Sequence, residues 1–332
     1  MKLPLRAIDV CCGAGGWSCA ARGLPIRIEL AIDHWDVCDR THRLNHPETK
    51  FIRGDIRDEQ TRTAILDETG GGVDLVLGAI PCEWLTRRRS EAMHNAPSDG
   101  EMADERKTLA AALDIVRELC PAWWCMEDVV QLEAELPPGT PCWKCTSAAF
   151  SAQARRRLYV GRFPPPIFVN PNRQVARDVL RDGPFRIGRR AADCRLEKSR
   201  TFTPNSAYAQ EVGEKLRTVV AYTSRRDAEF VIVDPAIPGG RRQIEWQEMA
   251  AGQGFPQDYV FYGSPGDVAK QIGQAIQIDT GRAILSEIVR DARASLFADP
   301  QSPIRPSTPL GALSLSKGNP QETPGDPGTL YI

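Results

Sequence analysis

The sequence lacks any long apolar run, and near its beginning it lacks an apolar stretch that ends at small residues. A membrane-spanning helix needs about 18 or more consecutive apolar residues. A secretory signal needs a shorter apolar stretch followed by a small-residue cleavage site. We therefore expect an intracellular, cytoplasmic protein that does not span a membrane.

Histidine is scarce as well, with four residues among 332, and none lies in an HExxH motif. Nothing in their spacing therefore indicates metal catalysis. The ten cysteines are expected to be reduced thiols, because no secretory signal accompanies them. Cys142 and Cys145 have the CxxC spacing of zinc ligands, but Cys125 upstream lies in the apolar run AWWCM and is expected in the core. We predict no metal site.

Lysine supplies only 8 of the 42 basic residues, so arginine dominates the positive charge. Arginine suits forked hydrogen bonding to phosphates and base edges, although GC-rich coding produces the same bias. Residues 170–226 contain 13 basic and 6 acidic residues, in a chain whose net charge is −1. This region is either a nucleic-acid contact surface or an arginine-rich solvated surface, and charge alone favours neither.

Short apolar runs alternate with helical patterns over the first 130 residues. RAIDVCC, IELAID, VDLVLGAI and AWWCMEDVV predict buried strands. Residues 35–46 and 103–119 predict helices. This alternation is typical of an α/β fold in which helices cover both faces of a parallel sheet.

The glycine-rich segment DVCCGAGGW follows the first predicted strand. Gly13, Gly15 and Gly16 allow a tight turn that a ligand can approach closely. Asp33 ends the second predicted strand about 20 residues later, where a carboxylate can accept ribose hydroxyls. Asp55 follows the third and can accept an adenine amine. Each Asp alone is more often a cap or turn residue, but the ordered set favours an adenosine-containing cofactor.

Reactive side chains follow the next predicted strands. Cys82 in GAIPCE is a candidate nucleophile, provided that nearby positive charge lowers the pKa of its thiol; the following TRRR argues against a buried, inert cysteine. Glu127 in CMEDV, if protonated, can bond a ring nitrogen. Gln153, Arg155 and Arg157 alternate in QARRRLYVG and are expected on one strand face, where they can hold an anion or orient a base carbonyl.

In this order the motifs resemble those of the cytosine-C5 methyltransferases that use S-adenosylmethionine. DVCCGAGGW is similar to the D-x-F-x-G-x-G-G cofactor loop, GAIPCE to the nucleophile motif, MEDV to M-E-N-V and QARRR to Q-x-R-x-R. QEMAAGQGFPQDYVF and KQIGQAI resemble the closing R-E-x-x-x-x-Q-G-F-P and G-N-A-V motifs. The resemblance covers most of the chain, apart from residues 170–235 and the tail.

The resemblance implies a Rossmann-like α/β methyltransferase fold, with a mixed, mostly parallel sheet and helices on both faces. It implies a DNA (cytosine-5)-methyltransferase in which Cys82 adds to C6 of a flipped-out cytosine. Glu127 would bind N3 and the exocyclic amine, and Arg155 and Arg157 would hold the base. The implied cofactor is S-adenosylmethionine. The implied partner is double-stranded DNA, bound by a monomer of bacterial or phage origin, as in restriction-modification.

The same resemblance implies which residues line the two binding sites. The cofactor pocket would include Cys11, Gly13, Gly15, Trp17, Asp33, His34, Asp55, Ile56, Pro81, Leu109 and Gln274. Gln153 and the lid arginines Arg87, Arg88 and Arg89 would contact nucleic acid. These arginines lie in a polar loop, from Glu83 to about Arg106, that fits a mobile lid over the flipped base.

The domain organisation follows from the motifs and from a change in composition. We predict a catalytic domain over residues 1–165, a small target-recognition region over 166–240 and a C-terminal part of the catalytic domain over 241–297. Residues 298–332 are rich in Pro, Ser, Gly and Thr, which predicts a disordered tail.

Three departures from the family pattern keep alternatives open. Glu83 follows the candidate nucleophile, Asp128 follows Glu127 in place of Asn, and Gln274 replaces the Asn of the last motif. Gln274 motivates the hypothesis of an S-adenosyl donor with a larger group. The pair Thr86–Arg87 resembles relatives that methylate transfer RNA. The added acidic residues also allow a binding module that has lost turnover.

Overall fold

A computed structural model describes the greater part of the chain. The described residues are 3–81, 99–166, 173–180, 195–198, 210–211, 214–218, 230–233 and 241–297. The candidate nucleophile Cys82, the lid arginines and the predicted tail lie outside these residues.

A seven-stranded sheet forms the centre of the fold, with the order β3-β2-β1-β4-β5-β8-β6. The first five strands in this order are parallel, while β8 runs antiparallel to both β5 and β6. The predicted mixed, mostly parallel sheet is therefore confirmed. Its strands are β1 (Leu5–Val10), β2 (Ile26–Asp33), β3 (Lys50–Arg53), β4 (Leu75–Ala79), β5 (Trp123–Asp128), β6 (Cys142–Thr146) and β8 (Arg156–Arg162).

Helices cover both faces of this sheet. They are α1 (Gly16–Ala21), α2 (Asp36–Asn45), α3 (Glu59–Thr69), α4 (Asp99–Leu119), α5 (Trp246–Gln253), α6 (Pro265–Gln274) and α7 (Ile278–Phe297). The helices predicted over residues 35–46 and 103–119 correspond to α2 and α4. Among the described helices, none combines the length and the apolar character that a membrane crossing requires.

Two apolar clusters, one on each face of the sheet, make up most of the core. Along β1, Leu5 and Ala7 belong to one cluster, which α1, α5, α6 and α7 complete. Ile8 and Val10 belong to the other, which α3 and α4 complete. Strands buried on both faces are continuously apolar instead of alternating, which explains why the short apolar runs predicted this sheet.

A small second sheet has three strands in the predicted recognition region and one, β13, directly after it. It has the order β10-β9-β12-β13 and is antiparallel throughout. Its strands are β9 (Arg195–Lys198), β10 (Gln210–Glu211), β12 (Phe230–Val233) and β13 (Arg241–Gln243).

Parts of the predicted recognition region pack on the catalytic domain instead. β11 (Leu216–Arg217) pairs with β7 (Gln153–Ala154), and Ala176, Leu180 and Leu216 are buried in the first core cluster. Residues 173–180 and 214–218 thus contribute apolar side chains to this core, and the domain boundaries at 165 and 240 stay a prediction.

Gly161 lets β8 approach β5 closely, beside the candidate site. A Cβ atom at this position would lie 2.1 Å from the carbonyl oxygen of Trp124. We expect Gly161→Ala to lower the free energy of unfolding by about 1–3 kcal/mol, because the two strands must separate. Urea unfolding measures this. Gly72→Ala, which places its Cβ in open space, is the control, and equal losses in both variants would contradict the packing.

Candidate active site

The residues predicted to carry chemistry meet at the carboxyl edge of the parallel strands. The glycine-rich turn follows β1, Asp33 ends β2, Asp55 follows β3, Pro81 follows β4 and Glu127 lies near the end of β5. The strand order reverses between β1 and β4. In open α/β sheets, ligands bind at such a switch point, outside the carboxyl ends of the strands.

The glycine-rich turn is held to the neighbouring strand by Asp33. The Gly13 N–H donates to Asp33 Oδ2 at 2.9 Å, and the Trp35 N–H donates to Oδ1, also at 2.9 Å. Burial raises the pKa of Asp33, and these two backbone donors oppose that shift. Gly13 has φ +53°, and a Cβ there would meet no atom within 4 Å. The turn therefore presents an open backbone surface beside a fixed carboxylate.

Asp55 is already engaged by an arginine that lies two residues further along the chain. Arg57 Nε lies 3.0 and 2.9 Å from the two Asp55 carboxylate oxygens, and the Arg57 N–H donates to Oδ1. Arg57 lowers the pKa of Asp55 and so keeps it ionised. Asp104 on α4 lies 3.7 Å from the same guanidinium. Arg57 was not predicted as part of the site, although GDIRD places it two residues after the carboxylate.

Several predicted cofactor residues are accessible at this edge. The His34 side chain is 71% exposed, with Nδ1 3.5 Å from Asp33 Oδ1. Pro81 and Gln274 are exposed, and Cys11 is half-buried. Their contact with a cofactor stays a prediction.

Three other predicted cofactor residues lie in the core. Trp17 is 1% exposed, its indole N–H donates to the Gly78 carbonyl at 3.0 Å, and its ring packs edge-on against Tyr159. Ile56 and Leu109 are buried in the second apolar cluster. The Trp17 indole is therefore enclosed behind the turn. The contact of these three residues with a cofactor stays a prediction.

Glu127 is a buried carboxylate with an arginine partner. Its side chain is 4% exposed, and Arg157 Nε lies 2.8 Å from Oε1. The guanidinium compensates the charge that burial would otherwise make costly. The Glu127 carbonyl accepts from the Ile80 N–H at 3.1 Å, which joins the end of β5 to the chain just before Cys82.

Arg155 lies between Glu127 and the end of α6. Its Nε is 4.0 Å from Glu127 Oε1, while Nη2 donates to the carbonyls of Gly273 at 3.0 Å and Ala275 at 3.2 Å. Gln253 Nε2 donates to the same Ala275 carbonyl at 2.6 Å. Arg155 therefore links the neighbourhood of Glu127 to the end of the helix that carries Gln274. That it holds the base stays a prediction.

Gln153 does not share an accessible strand face with the two arginines. Ser147 and Ser151 donate to the Gln153 carbonyl at 2.6 and 3.2 Å, and Ser147 also accepts the Arg155 N–H. The strand is therefore interrupted between β7 and β8, and Gln153 is completely buried. Its contact with nucleic acid stays a prediction.

The remaining predicted site residues lie outside the described residues. They are Cys82, Arg87, Arg88 and Arg89. Within the described part of the chain, no group of three or more potential ligand side chains could hold a metal ion.

A buried polar network that the sequence did not predict lies behind the glycine-rich turn. Ser18 donates to Asp9 Oδ2 and contacts His42 Nε2, both at 3.0 Å. His46 Nε2 lies 3.2 Å from the Tyr259 hydroxyl, and the centroids of the two histidine rings are 4.8 Å apart, with the rings tilted by 40°. Burial lowers the pKa of His42 to about 3 and that of His46 to about 4, so both rings are neutral. Their i, i+4 spacing could have shown that they share a helix face.

Known proteins are similar to this chain in sequence and in fold. The sequence model of the C-5 cytosine-specific DNA methylase family matches residues 5–135 and 172–290. The Type II methyltransferase M.SacI of Streptomyces achromogenes is 30% identical over 152 residues, which cover 39% of this chain and 36% of that protein. M.AquIA of Picosynechococcus sp. is 30% identical over 128 residues, 37% of this chain and 48% of that protein. The matched part thus spans less than half of either relative.

A solved structure shares the fold over nearly its whole length. It is a prophage-encoded protein of E. coli, described as a candidate DNA modification methyltransferase. It superposes with a TM-score of 0.61 at 15% identity and covers 87% of this chain and 99% of its own. At that identity the similarity concerns the fold alone.

Asp9, which binds Ser18 behind the turn, makes the unfolding free energy of the protein depend on pH. Burial raises its pKa from 3.8 to about 7, so between these values the folded state binds a proton that the unfolded state does not. The contribution of Asp9 to folding is therefore present at low pH and is lost as the pH rises through about 7. On going from pH 8 to pH 5, we expect the wild type to gain about 2–3 kcal/mol of unfolding free energy relative to Asp9→Asn.

Urea unfolding at both pH values measures this difference. The exposed substitution Asp67→Asn is the control, and its difference from the wild type should stay constant. An equally constant difference for Asp9→Asn would show that the carboxyl group does not titrate in this range.

Proposed function

Because the chain belongs to the C-5 cytosine-specific DNA methylase family, we propose that it methylates C5 of cytosine in double-stranded DNA. In this proposal Cys82 is the nucleophile and Glu127 binds the pyrimidine ring. The observation that carries it is the pair of buried Glu127 and half-buried Arg157, 2.8 Å apart. This pair is tied through the Glu127 carbonyl to Ile80, two residues before Cys82.

The described residues around the turn fit S-adenosylmethionine as the methyl donor. Gly13 leaves open space where a Cβ would stand, so a ligand can lie against the backbone. Asp33 is oriented by two backbone donors and can accept ribose hydroxyls. Cys11, His34, Pro81 and Gln274 are at least partly accessible around it. When bound, S-adenosylmethionine supplies an electrophilic methyl group.

Methylation at C5 needs a nucleophile and a buried carboxylate that contact the same cytosine. The Cys82 thiolate forms a bond to C6, and the electrons of the C5–C6 double bond move into the ring. Protonated Glu127 donates its proton to N3 and accepts a hydrogen bond from the exocyclic amine, and Arg157 compensates the carboxylate charge that results. C5 thereby becomes nucleophilic. After methylation the C5 proton passes to water, the Cys82 thiolate leaves C6 as the C5–C6 double bond re-forms, and the N3 proton returns to Glu127.

The target cytosine must leave the DNA stack to reach Glu127 and Arg157. In a duplex the reacting carbon lies between neighbouring bases, so the cytosine has to be flipped out, which costs a few kcal/mol. The excess of positive charge in residues 170–226 suits phosphate contacts that offset this cost. Arg87, Arg88 and Arg89 add charge next to the nucleophile in sequence. We propose a cytoplasmic, monomeric enzyme.

Expression in a bacterial host without its own cytosine-C5 methylation tests the reaction and the nucleophile together. We expect mass spectrometry of nucleosides from host DNA to show 5-methyl-2′-deoxycytidine with the wild type and only background with Cys82→Ala, because no adduct at C6 can form. Cys142→Ala, which alters an exposed cysteine, is the matched control and should leave the product unchanged.

Other outcomes separate the parts of the proposal. Modified cytosine in transfer RNA, with unmodified DNA, would contradict the DNA acceptor. A heavier cytosine derivative would contradict S-adenosylmethionine as the donor and would direct attention to Gln274. Methylation that persists in Cys82→Ala would overturn the role of the nucleophile.

A further inference from the structure

We propose that the Tyr259 hydroxyl is a positioning group for the donor site, which holds the glycine-rich turn in the conformation that receives the cofactor. This inference rests on the proposed function, since it assigns S-adenosylmethionine to the turn. Tyr259 lies about 245 residues after the turn in sequence, outside every segment that the resemblance assigns to the cofactor pocket.

The hydroxyl contacts the turn directly. It donates to the carbonyl oxygen of Ala14 and lies 3.2 Å from His46 Nε2. A phenol has one proton to donate, so the second contact requires His46 to donate from Nε2. Both groups are neutral, because burial raises the pKa of Tyr259 and lowers that of His46 to about 4. The Ala14 carbonyl is thus fixed by an oriented, two-step chain of hydrogen bonds.

The turn has no space to move towards this network. At Gly15, where φ is +84°, an added Cβ would lie 2.9 Å from both the Tyr259 hydroxyl and His42 Cδ2. Ser18, just after the turn, is bound to Asp9 and contacts His42. The turn is therefore anchored from behind at two points, while Gly13 on the other side meets open space.

The ring and the hydroxyl of Tyr259 have different roles. The ring packs in the core, with its centroid 4.7 Å from that of Phe255 and 5.2 Å from that of Phe261. The hydroxyl alone reaches the turn. Removing only the hydroxyl should preserve the fold and let the turn populate other conformations. The apparent affinity for the cofactor then falls in proportion to the fraction of molecules whose turn remains competent to bind.

The test compares Tyr259→Phe with the wild type and with Tyr262→Phe in the full chain. Tyr262 is the matched control, because its hydroxyl lies in the same segment but is bound by exposed Arg40 instead of by the turn. Isothermal titration with S-adenosylmethionine and S-adenosylhomocysteine measures affinity, thermal unfolding measures stability, and hydrogen exchange reports on amides 11–16.

For Tyr259→Phe we expect the Kd for both compounds to rise about tenfold and amides 11–16 to exchange faster. The KM for the cofactor should rise in parallel, while kcat at saturating cofactor stays within about twofold. Tyr262→Phe should match the wild type in all of these.

The outcomes distinguish this inference from the proposed function. A wild type that binds neither compound would contradict the proposed function. A wild type that binds, with equal Kd and equal exchange in Tyr259→Phe, would overturn only the role of the hydroxyl. Tyr259→Phe that fails to fold would also overturn it, because the division between ring and hydroxyl would be wrong.

Discussion

The buried guanidinium of Arg155 joins the two halves of the candidate site. It lies 4.0 Å from Glu127 on the acceptor side and donates to the carbonyls of Gly273 and Ala275. Next to those carbonyls, Ile276 packs against Gly16 at the end of the donor turn, where a Cβ would be 3.0 Å from the isoleucine side chain. Arg155 and Ile276 thus form a continuous line of contacts from Glu127 to the glycine-rich turn. Buried donors and acceptors of this kind are expensive to leave unpaired, which keeps the arrangement in place.

The two sides of the site are stabilised by different means. On the acceptor side, buried Glu127 and half-buried Arg157 form an ion pair, whose stability depends on close geometry. On the donor side, two neutral histidines, a serine and a tyrosine hold the turn together with Asp9, whose pKa burial raises to about 7. Asp33, at the open face of the turn, is an oriented acceptor whose carboxylate is held by two backbone donors.

The sequence predicted the sheet, its main helices and the positions of Asp33, Asp55 and Glu127, since carboxyl ends of parallel strands meet at one edge. It could not predict side-chain accessibility. Trp17 and Gln153 occupy motif positions, yet tertiary packing encloses both. Alternation alone also placed Gln153 beside Arg155, whereas the Ser147 and Ser151 hydroxyls interrupt the strand there. The contact between Tyr259 and Ala14 joins distant segments, and no local pattern reveals it.

Trapping the covalent intermediate would show whether Cys82 adds to C6 of the target cytosine. A duplex with 5-fluorocytosine at the target position cannot lose a C5 proton, so release of the nucleophile is blocked. With S-adenosylmethionine present, we predict a stable protein–DNA complex whose mass includes one added methyl group and whose crosslinked peptide contains Cys82. Cys142→Ala should form the complex and Cys82→Ala should not. An enzyme that methylates unmodified duplex but forms no complex, or a complex that survives in Cys82→Ala, would contradict the account.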